Sequence, residues 1–257
     1  MRSHATQILL DSVPNSKRKI AGHFLDILTE TSCILGNAYL NMVTVGAGDV
    51  RQAITAYKKA EDVDINQKFN PDLHFNKAQL LMFRCDFTQA LEEFRISARI
   101  DTTWVEASEK VTAIEAHLEI VAEQIRTKGK LKPRKLEQMK KKLKNPENER
   151  CGLVIASTSP STHLLAFSAI LLMPNAVKDS PDKFVVVRVN NLKDSVKIGD
   201  TLEFSKEVVI QNSLTLVRGK QIKLDYVSIK APNNELLVNN RRMNASGMVG
   251  LTSSVNY

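Results

Sequence analysis

The sequence predicts an α-then-β chain, a short array of repeated helices followed by a small β-barrel, and three observations predict it. From about residue 20 to 143 apolar residues recur at helical spacing, as in Ala53, Tyr57 and Ala60, or Ile114, Leu118, Val121 and Ile125. Beyond about 150 the texture changes to short β-rich runs (LVIAS, FVVVRV, TLEF, VVIQ, LTLV, IKLDYVSIK, ELLV). Turn signals at residues 197–200, 218–220 and 232–234 separate them. Between the halves, Arg126–Lys144 holds ten Lys or Arg and one Glu in nineteen residues. The whole chain has 36 basic and 28 acidic residues, a net of +8, so the remainder is close to neutral.

The helical half repeats itself. Leu35-Gly36-Asn37-Ala38-Tyr39, Gly48-Asp49, Ala53, Tyr57 and Ala60 sit where a tetratricopeptide repeat wants small residues at helix crossings and large ones between them. The loop from Tyr39 to Gly48 reads as about five residues longer than usual. A second copy follows in Ala78, Leu81, Asp86, Phe87, Ala90 and Phe94, and Trp104 to Ile125 reads as a closing helix. Lys19 to Asp26 reads as the second helix of an earlier, damaged repeat whose partner is spoiled by Pro14. The expected domains are a partial repeat helix over 1–31, repeats with a capping helix over 32–125, a basic linker helix over 126–148, and a β domain with a frayed tail over 149–257. Five to seven strands without a long helix suit a small closed barrel, since closure removes exposed edges, with a small sandwich as the alternative.

At 257 residues, with 43% hydrophobic and 25% charged content, the chain has the composition of a folded soluble protein. The longest apolar run, Leu164–Met173, is about half a membrane span. The N-terminus lacks the apolar core and cleavage site of a secretory signal. Cys33, Cys85 and Cys151 lie far apart, which fits reduced thiols and an intracellular compartment.

The basic run offers phosphate contacts through Lys128, Lys130, Lys132, Arg134 and Lys135, with affinity falling steeply as salt rises. Lys140-Lys141-Lys142 also fits a nuclear localisation patch. The simpler reading is a solvated helix with Leu136, Met139 and Leu143 on its apolar face, begun by Pro133 after a flexible joint at Gly129. In the β half, Phe167, Phe184, Phe204, Tyr226 and Tyr257 read mainly as core. Arg188, Arg218 and Lys220 give a thin basic face for single-stranded nucleic acid. The five histidines never reach metal-ligand spacing with each other or with the cysteines. There is no nucleophile elbow or phosphate loop, and Gly46-Ala47-Gly48 lacks the third glycine of a dinucleotide fingerprint. No enzyme, cofactor, metal or small-molecule substrate is expected.

The run NPDLHFNKAQLL…FTQALEEF…ARIDTTWVEA, then TKGKLKPRKLEQM, and further on IGDTLEF, VRGK, YVSIKAP and ELLVNNR, resembles the Strap-like family of tetratricopeptide-repeat proteins with a C-terminal OB-fold. The resemblance runs from about residue 19 to 243. It implies a fold of tetratricopeptide repeats followed by an OB-fold-like barrel. It implies a non-enzymatic adaptor that recognises the N-terminus of nascent tubulin at the ribosome and promotes tubulin mRNA decay. By resemblance, Asp72 and Glu106 are groove acids for that peptide, and Lys132 and Arg134 face ribosomal RNA. The residues taken alone make Asp72 a helix N-cap after Pro71 and Glu106 a solvated first-turn acid. The alternatives are a nuclear stress-responsive co-activator scaffold linking a transcription factor and an acetyltransferase, and a nucleic-acid-binding module centred on the basic run. The implied location is cytoplasmic and nuclear. The family carries more repeats ahead of these and a tryptophan where this chain has Ser32.

Overall fold

The computed structural model describes residues 15–44, 48–142, 150–158, 166–173, 182–190, 196–205, 210–230 and 236–242. The helical half contains α1 (Asn15–Thr44), α2 (Val50–Val63), a 3-10 turn (Ile65–Phe69), α3 (Pro71–Phe83), α4 (Phe87–Ile100) and α5 (Val105–Arg126). A second 3-10 turn (Lys128–Lys130) and α6 (Pro133–Lys142) follow. Then come β1 (Cys151–Thr158), β2 (Ala166–Met173), β3 (Lys183–Asn190), β4 (Thr201–Phe204), β5 (Gln211–Val217), β6 (Lys220–Lys230), β7 (Leu236–Val238) and β8 (Arg241–Arg242). The first half of the expected VVIQ strand, the 232–234 turn, His4, His163, Gly46, Ala47, Tyr257 and the C-terminal tail lie outside the described residues.

Two expectations about the first helices are corrected. Lys19–Asp26 is not a separate helix but part of α1, which runs unbroken for 30 residues because nothing between them stops it. α1 also continues past Tyr39 to Thr44, so most of the supposed long loop is helix. The chain then turns by Gly48 N–H donating to Met42 O at 2.9 Å. Asp49 caps α2 by accepting from Arg51 N–H at 2.8 Å, and Asn70 caps α3 ahead of Pro71 at its first position.

The chain divides into two compact units. Of the described residues, those up to Arg84 and Gln89–Val111 belong to one; Cys85–Thr88 and those from Thr112 to Arg242 belong to the other. In the first unit, fully buried Ala53, Ala60, Ala78, Ala90 and Ala107 hold the helix crossings. Gly36 is needed for close approach, since a Cβ there would stand 2.5 Å from the Tyr57 ring. The Tyr57 hydroxyl donates to Asn37 Oδ1 at 2.6 Å. Phe75 stacks on Trp104 at 4.4 Å and meets the Phe94 ring edge-on at 5.1 Å.

A buried ionic network ties three helices of this unit together. Lys77 of α3 contacts Glu61 of α2 at 2.8 Å and Glu93 of α4 at 2.9 Å. His74 has an acceptor on each ring nitrogen, Glu93 Oε2 at 2.6 Å on Nδ1 and Lys68 O at 2.9 Å on Nε2. Two acceptors favour the doubly protonated ring, which balances two carboxylates with two cations. Burial opposes charge on His74, but the Glu93 and Lys68 bonds outweigh it and raise the pKa. Lys77 is likewise raised by its carboxylates against burial, and Glu93 is lowered by His74 and Lys77 against burial.

In the second unit the strands form one sheet in the order β5-β6-β3-β2-β1-β4-β7-β8. β1, β2 and β3 form an antiparallel meander, β4 returns to β1, and β6 joins β3 in parallel. Among the described residues β5 and β8 do not pair, so the α-then-β class stands but the sheet is open, not closed. Strands β4, β7 and β8 span four, three and two residues, too short a wall to complete a barrel. The run noted only as too short for a membrane contains the strand β2, covered on both sides by β1 and β3. One sheet face holds Val154, Leu171, Val185, Val187, Val189, Leu202, Phe204 and Val227 in a single core. The opposite face carries Tyr226, Arg188 and Ser168, covered by Phe87 and His117. No described helix is long and apolar enough to cross a membrane.

Two outcomes follow. Gly36→Ala overpacks the Tyr57 contact and lowers stability by about 1–3 kcal/mol in denaturant titration; unchanged stability contradicts the close approach. His74 has a raised folded pKa, so its contribution is complete below the ordinary histidine value of 6.5 and fades as pH rises through the folded value. The stability difference between the wild type and His74→Gln is largest below pH 6.5 and shrinks as pH rises above it; a difference independent of pH contradicts the charged network.

Candidate functional site

The first candidate surface is built on α1, α3 and α5. Asn76 of α3 donates through Nδ2 to Asn37 Oδ1 of α1 at 3.1 Å, so this face of α3 looks along the array toward the preceding repeat. Asp72 lies one turn earlier on the same face and is exposed. The cap belongs to Asn70, which accepts from Leu73 N–H at 3.3 Å, and this corrects the N-cap reading of Asp72. Thirty-four residues on, the repeat period, Glu106 and Lys110 of α5 occupy the places of Asp72 and Asn76. Glu106 is exposed and lies 3.7 Å from Lys110, whose pKa is lowered by burial against the pull of Glu106. In α1, Cys33 lies one turn ahead of Asn37. The Cys33 thiol lies 3.5 Å from Gln67 Oε1, and burial, then Asp64 and Glu61, raise its pKa. An exposed carboxylate repeated at this spacing can take an amino terminus or a basic side chain of an extended peptide.

The second candidate surface is the basic run, in the second unit. Pro133 begins α6, and Leu136 and Met139 are buried, so this helix is docked by one face. Lys128 and Lys140 both reach Asp182, at 2.8 and 2.7 Å, and Lys140 also reaches Glu137 at 3.0 Å. These bonds raise the Lys140 pKa; at Asp182 they lower it, against burial. Gly129 is not a flexible joint. Its φ of 66° sits between Lys128 and Lys130, also at positive φ, and a Cβ there would stand 2.3 Å from Ile155 O. The predicted contacts therefore separate: Lys128 is engaged by Asp182, while Lys130, Lys132, Arg134 and Lys135 stand exposed with Lys141. The end of the run, 143–148, lies outside the described residues.

Of the thin basic face expected on the β half, Lys220 is exposed, Arg218 is exposed but paired, and Arg188 is buried. Arg188 is buried with its guanidinium 5.7 Å from the Phe87 ring centre. Burial, then the Cys85 and Tyr226 neighbours, set its pKa, which is lowered. Arg218 forms the hairpin between β5 and β6 with Gly219 and reaches Glu115 and Glu119 at 3.3 and 3.0 Å. Tyr226 and Phe204 are core residues, as expected. His117 is pushed down to about 4 by burial and then Arg188, so it stays neutral. The quoted motifs IGD and ELLVNN meet: Asn239 accepts from Thr201 N–H and donates to Asp200 Oδ1, both at 2.9 Å.

Sequence reading missed Asp182 and the partners of Lys77. Only a Pro-Asp pair before a strand hinted at the first, and an exposed-looking Lys in an amphipathic helix hid the second. Among the described residues no group of His, Cys, Asp or Glu could hold a metal ion.

No protein-family model matches the chain. The chain is 34% identical over 148 residues to Tetratricopeptide repeat protein 5 of Mus musculus, covering 56% of this chain and 33% of that protein, with the same figures for Bos taurus. To the Homo sapiens protein of that name it is 35% identical over 109 residues, 41% of this chain and 25% of the relative. The aligned part thus spans a third or less of the length of these relatives. Over about half of its own length, the chain is similar to Tetratricopeptide repeat protein 5.

Proposed function

We propose that the chain is a non-enzymatic adaptor whose repeat groove reads an extended peptide, the N-terminus of nascent tubulin, beside the ribosome, and so promotes tubulin mRNA decay. The carrying observation is the equivalence of Asp72 and Glu106, exposed acids one repeat apart, each one turn ahead of the Asn76 or Lys110 place. In this reading the two carboxylates hold the positive groups of the peptide, and the buried His74–Lys77 network fixes the rotation of α3 that presents Asp72. The exposed Lys130, Lys132, Arg134 and Lys135 meet ribosomal RNA backbone. Their exposure also favours a second reading, a module that binds nucleic acid through this segment alone.

Asp72→Asn with Glu106→Gln weakens binding of a tubulin N-terminal peptide at least tenfold, about 1.4 kcal/mol, in fluorescence anisotropy, and leaves RNA binding unchanged. Unchanged peptide affinity removes the groove role. Lys132→Ala with Arg134→Ala lowers the slope of log affinity against log salt for an RNA oligonucleotide by about 1.4 and leaves peptide binding alone. An unaltered slope removes both residues from the phosphate contact.

A further inference from the structure

We propose that Asp182 sets the selectivity of the basic row, as a built-in stand-in for a phosphodiester that withholds Lys128 and Lys140 from nucleic acid. The inference rests on the reading of the row as a phosphate contact, and it adds which cations the row keeps back. Lys128 Nζ reaches Asp182 Oδ2 at 2.8 Å and Lys140 Nζ reaches Asp182 Oδ1 at 2.7 Å, one lysine on each carboxylate oxygen. The two lysines come from different elements, the second 3-10 turn and α6, and meet on this single group. A phosphodiester likewise carries one negative charge over two free oxygens, so a seat of two ammonium groups that fits one anion fits the other.

Three observations favour withholding over mere fastening. The lysines are accessible: the Lys128 side chain is 47% exposed and that of Lys140 35%, against 14% for Asp182. Phosphate in solution can therefore reach both ammonium groups, but only by displacing the carboxylate. The carboxylate has the advantage, because Asp182 is tethered beside them while an RNA strand must lose freedom to bind. Nor does α6 need the ion pairs to stay docked. Leu136 and Met139 are buried and Pro133 starts the helix, and pairs this exposed add little stability. Finally, Lys128 has a φ of 51°, an uncommon conformation for a residue with a side chain, and the side chain so placed ends on Asp182. Lys140 has a second anion in Glu137 at 3.0 Å, but that carboxylate is 63% exposed and screened by water and salt. Lys130, Lys132, Arg134, Lys135 and Lys141 are left to meet phosphate. Fewer free cations mean weaker, less salt-dependent attraction to nucleic acid in general.

The test is a salt titration of the full chain against a fluorescent single-stranded RNA oligonucleotide, read by anisotropy. Asp182→Asn, with unchanged circular dichroism, should tighten binding about fivefold or more at about 50 mM salt and steepen the slope of log affinity against log salt by about 0.7 for each lysine released, about 1.4 in all. Lys128→Gln and Lys140→Gln should leave the slope unaltered in the otherwise native chain, yet together cancel the gain when added to Asp182→Asn. That cancellation separates release of these two lysines from the general effect of removing a negative charge. An Asp182→Asn slope that is unchanged or shallower overturns the proposal, as does a gain that survives both lysine substitutions. Should Asp182→Asn fail to fold, the single lysine variants decide: a slope lowered by about 0.7 in each shows that both already contact phosphate and overturns the proposal. A native chain with no salt-dependent RNA binding removes the phosphate reading itself, and this inference with it.

Discussion

The first unit depends on the burial of Lys77 and His74 between Glu61 and Glu93. Isolated charges are costly inside a protein, so these four groups are tolerated only when all are in place. Because they come from α2, α3 and α4, satisfying them fixes how α3 is rotated. With His74, Lys77, Ala78 and Leu81 turned inward, Asp72 and Asn76 are turned the other way. The hydrogen bond from Asn76 to Asn37 then aligns that face with α1. The candidate peptide surface is thus a consequence of an interior electrostatic requirement, and the repeat period carries it on to Glu106.

The second unit solves a related problem for the basic run. Ten cations in nineteen residues repel one another, yet α6 is docked by Leu136 and Met139 and tied by Asp182, which takes Lys128 and Lys140 together. The left-handed turn at Lys128–Gly129–Lys130 fits only because Gly129 lets the chain pass against the Ile155 carbonyl. What remains outside is a shorter row of cations than the sequence suggests, held on a structured element.

The legible part of the molecule was the part that local periodicity controls. Ala53, Tyr57, Ala60, Ala78, Ala90 and Phe94 announced the helix pairs because a repeat demands small and large residues at fixed offsets. The hairpin at Arg218-Gly219 was visible for the same local reason. Illegible were the features set by partners distant in sequence. Arg188 reads as a surface base in an alternating strand but lies on the face that Phe87 covers. Arg218 reads as a free cation but is taken by Glu115 and Glu119. The open sheet could not be foreseen either, since strand count favours closure and only the shortness of β4, β7 and β8 prevents it. Of the candidate site, the positions of Asp72 and Glu106 came from family resemblance; their 34-residue spacing was readable in the sequence, and the Asn76 bond to Asn37 adds which way that face of α3 looks.

The central claim is that the repeat groove reads a specific peptide and the basic row supports it on the ribosome. Its most direct test is sedimentation of the purified chain with translating ribosomes, with and without a tubulin nascent chain exposed. The account predicts enrichment on the ribosomes that expose tubulin, persisting at salt that removes the chain from the others. Equal binding to both, lost together at moderate salt, would contradict it and leave only the cations of Lys130–Lys135 at work.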